Sequence, residues 1–273
     1  MSDRSLTSAL RVAVLQTDLV WQDAAANLQH FSALLAGLRN VELVVLPEMF
    51  NSGFSMQSQQ IAETMTGPTL QWLQQQARFY QFALCGSLAI QTELGVVNRL
   101  VFVHPDGNID YYDKRHLFRM AAEHQHYVAG RQRKIVVYRG FRLCLQICYD
   151  LRFPVFSRNR SDYDVLIYVA NWPAVRSRIW TTLLAARAIE NQSYLIGCNR
   201  VGVDANRFDY SGDSVVLDYL AEPLAQSVSG AANVLQATLD LTQLHQFRQR
   251  FPAAMDADSF VLLDEATADL VVG

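Results

Sequence analysis

Three polar residues stand at the ends of apolar runs and carry groups suited to acyl chemistry: Glu48, Lys114 and Cys148. In LVVLPEMFNSGF (43–54) a hydrophobic strand ends at Pro47, and a carboxylate follows, flanked by Met49 and Phe50. Desolvation there is expected to raise the Glu48 pKa, because burial disfavours the charged form. A carboxylate tuned upward suits general-base work near neutral pH. In LCLQICYDLRFP (143–154) an apolar strand runs straight into Cys148, with a helix expected after Pro154. A nucleophile at a tight strand-to-helix turn projects its side chain out of the sheet, and the following N–H, that of Tyr149, points towards a reacting carbonyl. A helix N-terminus and a nearby lysine are expected to lower the thiol pKa. Lys114, in YYDKRHLF (111–118), follows a strand and precedes an aromatic turn. Taken singly, each residue also has an ordinary reading: Glu48 as a turn cap or ion-pair partner, Lys114 as solvated surface, Cys148 as an inert buried thiol.

The elements that must position these groups follow from periodicity. RVAVLQT (11–17) and VELVVLP (41–47) read as strands around a helical segment (23–40), in which Leu28, Phe31, Leu34, Leu35 and Leu38 recur at helical spacing. A second helix fits 69–80, after the Gly67-Pro68 breaker. Strands follow at 82–90, 96–104 and 108–114, the last two separated by Pro105-Asp106-Gly107. Residues 134–150 read as a hairpin around Gly140, 164–171 as a buried strand and 176–191 as an amphipathic helix. Strands at 193–200, 212–219 and 231–240 and a final helix at 241–250 complete the set. No linker, repeat or low-complexity stretch interrupts this order. It is read as one domain over 1–273, with a core at about 11–240 and a C-terminal helix and tail at 241–273. Mixed βα units and hairpins indicate α/β layers. Strands apolar on both faces must be covered on both sides. Two packed sheets flanked by helices meet that need, although periodicity alone does not single them out.

Composition narrows the function. Of 273 residues, 51% are hydrophobic, enough for a sizeable core, and the formal charge of −3 gives no basic excess for nucleic acid. The N-terminal MSDRSLTSAL lacks the apolar core of a signal peptide, and apolar runs such as VLIYVA (165–170) are too short to cross a bilayer. A cytoplasmic protein without membrane or nucleic-acid partners is therefore expected. Cys85, Cys144, Cys148 and Cys198 lack C-x-x-C spacing, which argues against a disulfide framework or zinc ribbon.

The surroundings of the three residues, LPEMF, YDKRHLF and QICYDLRFP, resemble the motifs of the nitrilase, or carbon–nitrogen hydrolase, superfamily. The resemblance extends to EHQHYVAG (123–130), ANWP (170–173) and ARAIENQ (186–192), and covers about residues 11–240. EHQHYVAG and CYDLRFP look most like the omega-amidase branch, whose members hydrolyse monoamides of dicarboxylic acids such as 2-oxoglutaramate. The resemblance implies a four-layer αββα sandwich, commonly a homodimer, with no metal or organic cofactor. It implies a Glu–Lys–Cys set of Glu48, Lys114 and Cys148, joined by a second glutamate that matches Glu123.

On this reading Glu48 takes the Cys148 proton as sulfur attacks a small-molecule amide, and Lys114 and the Tyr149 N–H stabilise the oxyanion. Glu123 orients Lys114 and holds it charged. Arg152 is the first candidate for a substrate carboxylate, with Arg176 and Arg178 next, since a guanidinium fits a carboxylate bidentately. Trp172, Phe118 and Tyr127 are candidate apolar walls, though each is equally at home in a core. His116, His124 and His126 raise a metal reading, as in a metal-dependent phosphoesterase. It is the weaker one, because His124 and His126 are two apart and suit opposite strand faces. The same residues would also suit another activity of the superfamily, an N-carbamoyl hydrolase or a nitrilase, a non-catalytic binding protein on the same fold, or a redox-sensing thiol. The apolar residues of the tail, FVLLDEATADLVVG (260–273), are expected to pack across a subunit interface.

Overall fold

The computed structural model describes residues 8–262, so residues 263–273 of the tail lie outside the described residues. In chain order the strands are β1 (Ala9–Gln16), β2 (Leu43–Val45), β3 (Ala83–Thr92), β4 (Gly95–Val103), β5 (Ile109–Asp113), β6 (Lys134–Tyr138), β7 (Phe141–Ile147), β8 (Val165–Ala170), β9 (Tyr194–Asn199), β10 (Val201–Val203), β11 (Asp209–Ser211), β12 (Val215–Leu217), β13 (Pro223–Gln226) and β14 (Asn233–Asp240). The helices are α1 (Ala24–Ala36), α2 (Ser58–Ile61), α3 (Pro68–Tyr80), α4 (Glu123–His126), α5 (Pro154–Ser157), α6 (Ser177–Asn191) and α7 (Leu241–Arg250).

Alternation along each strand divides its side chains between two apolar layers. Along β1, Leu10, Val12 and Val14 enter one layer and Ala13 and Leu15 the other. The strands form two six-stranded sheets, ordered β14-β1-β2-β3-β4-β5 and β13-β12-β9-β8-β7-β6. Each has three parallel strands at its centre, β1-β2-β3 and β7-β8-β9, flanked by antiparallel neighbours. The inner faces pack together through residues such as Val12, Val45 and Leu100 from one sheet and Leu145, Ile167 and Ile196 from the other. The first sheet's outer face is covered by Phe31, Leu35, Leu70 and Leu73 of α1 and α3. Trp180, Leu184 and Ala188 of α6 cover the second. The fold is therefore a four-layer αββα sandwich, in which both faces of the central strands are buried as their composition requires.

Four elements depart from the sequence expectation. β10, β11 and β13 are three or four residues long, with at most one buried residue each, so they carry no apolar alternation to detect. β13 begins with a proline and lies at a sheet edge, where a missing N–H donor is tolerated. The helix after Pro154 is a single turn. Among the described residues no helix is long and apolar enough to cross a membrane.

This topology brings several strand ends to one edge, the usual place for a site in a parallel sheet. Glu48 and Cys148 follow β2 and β7, and Asn171 follows β8. Two antiparallel steps from β3 to β5 restore the original direction, so Lys114 emerges at the same edge. Lys114 is pinned there from both sides: its N–H donates to Asn98 O at 2.9 Å, and its carbonyl accepts from Gly130 N at 2.8 Å. Gly130 approaches so closely that a Cβ would stand 2.1 Å from Asp113 O. Gly130→Ala is therefore expected to push the Asp113–Lys114 backbone aside at a cost of about 1–3 kcal/mol. Urea denaturation reads this as a lower midpoint; an unchanged midpoint would show that this backbone is not fixed.

Candidate active site

Two turns present the carboxylate and the thiol. After β2 the chain reverses through Met49, whose φ of +47° is rare for a side chain with a Cβ. The turn is tied to β3 by Met49 N to Ser87 Oγ at 3.0 Å and Phe50 N to Ser87 O at 3.1 Å. It leaves the Glu48 carboxylate fully buried. Glu48 Oε1 accepts from Asn98 Nδ2 at 2.8 Å and Lys114 Nζ at 2.9 Å, and Oε2 from the Asn171 backbone N–H at 2.8 Å. Lys114, also fully buried, donates to a second carboxylate, Glu123 Oε1, at 3.0 Å. Glu123 opens α4, and its Oε2 accepts from Phe118 N at 2.5 Å. One ammonium is thus shared by two carboxylates whose other oxygens are also bonded. Buried charges need this, because a charge removed from water is costly unless paired and hydrogen-bonded.

Cys148 follows β7 at φ +43° and opens a 3-10 turn, Cys148–Arg152. A strained residue of this kind persists only where its surroundings hold it. Asp150 supplies the hold. Its Oδ2 accepts from Ile147 N at 3.0 Å and Tyr112 Oη at 2.8 Å, and its Oδ1 from His116 N at 3.0 Å, with His116 Nδ1 at 2.8 Å. One buried carboxylate therefore fixes the turn bearing the thiol to the loop bearing Lys114.

The electrostatics correct one expectation. The Cys148 thiol is not activated by a lowered pKa. Burial pushes it well above the ordinary thiol value, and the adjacent Glu48 carboxylate, which also hydrogen-bonds it, pushes further than the Lys114 ammonium pulls it down. For Lys114, burial alone would favour the neutral amine, but Glu123 and then Glu48 outweigh it and raise its pKa. Burial also raises Glu123; Lys114 opposes that shift and Glu48 adds to it. The resting site holds a charged lysine and a protonated thiol.

Cys148, Lys114 and Asn171 border a cavity of about 480 Å³. Tyr149, Phe118, Trp172, Arg152 and Arg176 line it as well. The Arg152 guanidinium lies 5.3 Å from the Trp172 ring centre, and that of Arg176 lies 5.4 Å from the Phe118 ring centre. Tyr127 does not line the cavity. It is buried beside Met49, Ala89 and Val96, and its hydroxyl donates to Ser55 O at 2.6 Å, so the core reading holds for it. Arg178 is exposed on α6 and also lies outside the lining. His124 and His126 are exposed on the short helix α4, not on a strand, while His116 is engaged with Asp150 and stacked on Phe153 at 3.9 Å. Asn98, Asn171 and Asp150 are site residues that the sequence does not single out. Asp150 carries a signal, an acid directly after an apolar strand, whereas an isolated Asn98 within β4 carries none.

Residues 11–249 match the carbon-nitrogen hydrolase family. The chain belongs to that family. An omega-amidase, YafV, of Yersinia enterocolitica is 53% identical over 94% of this chain and all of the relative. A 2-oxoglutaramate amidase of Paenarthrobacter nicotinovorans is 31% identical over 91% of this chain and 88% of its own length. The crystal structure of XC1258 from Xanthomonas campestris, a CN-hydrolase superfamily protein with an arsenic adduct in its active site, superposes with a TM-score of 0.91 at 46% identity, covering 93% of this chain and 99% of that one. As a member of the family this protein is an amidohydrolase: it cleaves an amide C–N bond.

The direction of the thiol shift has a direct readout. Alkylation of Cys148 by iodoacetamide without substrate should be slow at neutral pH and still rising past pH 9.0, the ordinary thiol value. A rate already at plateau by about pH 7, the behaviour of a thiol activated by a neighbouring cation, would contradict the raised pKa.

Proposed function

We propose that the protein is an omega-amidase that cleaves 2-oxoglutaramate or 2-oxosuccinamate to the dicarboxylate and ammonia, with Cys148 as nucleophile. The observation that carries this reading is the buried Glu48–Lys114–Glu123 triplet set against the Cys148 thiol at the base of a cavity walled by two arginines. Because the thiol rests protonated, attack and deprotonation are coupled: Glu48 takes the Sγ proton as sulfur bonds to the amide carbon. Two of the three ammonium hydrogens of Lys114 bind carboxylates. The third has no hydrogen-bond partner among the described residues and can meet the developing oxyanion, together with the Tyr149 N–H. One such donor is worth about 3–4 kcal/mol in the transition state. Glu48 then gives its proton to the amide nitrogen, the C–N bond breaks and ammonia leaves. Glu48 next activates water, and hydrolysis of the thioester restores the thiol. Glu123 acts as a positioning residue on Lys114. None of these steps calls on a cofactor.

Arg152 and Arg176 face the cavity, each over an aromatic ring and without a carboxylate partner among the described residues. A substrate bearing a distal carboxylate supplies one, with Arg152 the first partner and Trp172 and Phe118 the apolar walls beside it. Residues 1–273 form the single catalytic domain of a cytoplasmic enzyme, in line with its four unpaired thiols. It acts as a homodimer, with exposed Val175, Ile179 and Ile189 on and before α6 offering apolar contact.

Ammonia release from 2-oxoglutaramate, succinamate, glutamine and an N-carbamoyl amino acid, measured side by side, is expected to favour the first two, and Cys148→Ala to abolish turnover while the fold survives. Preference for the carbamoyl compound would reassign the substrate, and an active, folded Cys148→Ala protein would refute the nucleophile. Arg152→Gln is expected to raise KM for succinamate by about 10- to 100-fold, the worth of a charge-assisted hydrogen bond. Butyramide, which lacks the carboxylate, should be hydrolysed as before; equal losses on both would remove Arg152 from the binding role.

A further inference from the structure

Asn171 carries a group that the mechanism above leaves unused. It follows β8, is 4% exposed and borders the cavity. Its backbone N–H donates to Glu48 Oε2, and its Nδ2 donates to the Glu48 carbonyl at 2.5 Å. The second contact fixes the orientation of the side-chain amide, since only the NH2 end can donate to a carbonyl oxygen. The carbonyl end, Oδ1, has no hydrogen-bond partner among the described residues. Buried carbonyl acceptors are seldom left unpaired in folded proteins, and an exception calls for an explanation such as strain, an ordered water or a role in the chemistry; of the unpaired amide oxygens among the described residues, which include Asn98 Oδ1, that of Asn171 belongs to a residue lining the cavity.

The polar groups of the residues that line the cavity beside Cys148, or hydrogen-bond its thiol, divide by sign. Lys114 and the Tyr149 N–H are donors and suit the oxygen of a tetrahedral intermediate. Glu48 and Asn171 Oδ1 are acceptors, and Asn171 is held directly against Glu48. An unsubstituted amide presents the complementary pattern: one oxygen that accepts and one nitrogen that donates. An ester presents oxygen on both sides and leaves Oδ1 unmet.

We propose that Asn171 Oδ1 accepts a hydrogen bond from the scissile amide nitrogen, and so selects substrates with an N–H leaving group. This rests on the Cys148–Glu48 reading of the site. In the collapse of the intermediate, the proton that Glu48 took from Cys148 Sγ passes to nitrogen, the C–N bond breaks and its electron pair stays with ammonia. Asn171 Oδ1 holds one of the two hydrogens already on nitrogen, which aims the nitrogen lone pair towards the Glu48 proton. The same acceptor disfavours rebinding of the product, whose second carboxylate oxygen would face both it and Glu48.

Succinamate and monomethyl succinate test this, because both form the same succinyl thioester and differ only in the leaving group. In Asn171→Ala, kcat/KM for succinamate should fall at least about tenfold further than for the ester, since the change takes a hydrogen bond from the amide but relieves the ester of an unmet buried acceptor. Asn171→Asp keeps an acceptor and loses the donor to the Glu48 carbonyl. There both substrates should fall together, leaving the amide-to-ester ratio within about threefold of wild type. An equal fall of both substrates in Asn171→Ala marks a merely structural role and overturns the proposal alone, as does an Asn171→Asp ratio displaced as far as that of Asn171→Ala. A Cys148→Ala protein that still cleaves the amide, or a wild-type protein inert towards both compounds, overturns the underlying mechanism and this proposal with it.

Discussion

A lysine ammonium with no exposure to water, divided between two carboxylates, is the constraint on which the rest of the structure depends. Removing a single charge from water costs several kcal/mol even after the protein relaxes, and only close, fully bonded partners offset it. Here the partners come from distant parts of the chain: Glu48 after β2, Lys114 after β5 and Glu123 at the start of α4. Each is held by main-chain contacts that do not depend on the charges, namely Phe50 N to Ser87 O beside Glu48, Asn98 and Gly130 to Lys114, and Glu123 N to Phe118 O. The two sheets bring the segments to one edge, and the backbone contacts then set each side chain to within hydrogen-bond tolerance. A site built from strand ends in this way is more rigid than one built on loops alone.

Asp150 extends the same logic to the thiol. A non-glycine residue at φ +43° is held against a cost of order 1–3 kcal/mol, and the four contacts around one buried carboxylate make the relaxed turn worse. If the turn relaxed, Asp150 would lose partners that water cannot replace in the interior. Because two of those contacts come from His116 and a third from Tyr112, which sits just ahead of Lys114, the carboxylate also ties the cation to the sulfur. The distance between the proposed nucleophile and charge stabiliser is thereby set by a group that need not touch substrate.

Much of this is legible in the chain. Glu48, Lys114 and Cys148 interrupt apolar strands at their ends, and the cost of placing a charge or thiol there draws notice. The long strands and helices are legible for the same reason: both faces of β7 and β8 must be covered, and their composition says so. What stays hidden depends on packing between elements. Tyr127 and Phe118 are similar aromatics in neighbouring turns, yet one is enclosed behind Met49 and the other opens on the cavity. No pattern along the chain separates them. The direction of the Cys148 shift is hidden too. A helix N-terminus and a lysine point downward, but burial and Glu48, which only the folded chain brings to the sulfur, outweigh them. The short strands β10 and β11 bury too little for periodicity to register.

The raised thiol pKa also bears on how the enzyme limits side reactions. A preformed thiolate is a general nucleophile and an easy target for oxidants. In the proposed mechanism the proton is retained at rest, and sulfur becomes nucleophilic only as Glu48 withdraws it. Glu48 can do so productively only when an acyl carbon is in place and the Lys114 charge has an oxyanion to meet. In the proposed mechanism the two carboxylates do different work on the same cation. Glu48 carries the proton from Cys148 to the leaving nitrogen, and its attraction for Lys114 weakens while it is protonated; Glu123 stays bound and holds the ammonium charged throughout. A single carboxylate would have to release the lysine each time it took up the proton, which is the physical reason the site requires a second.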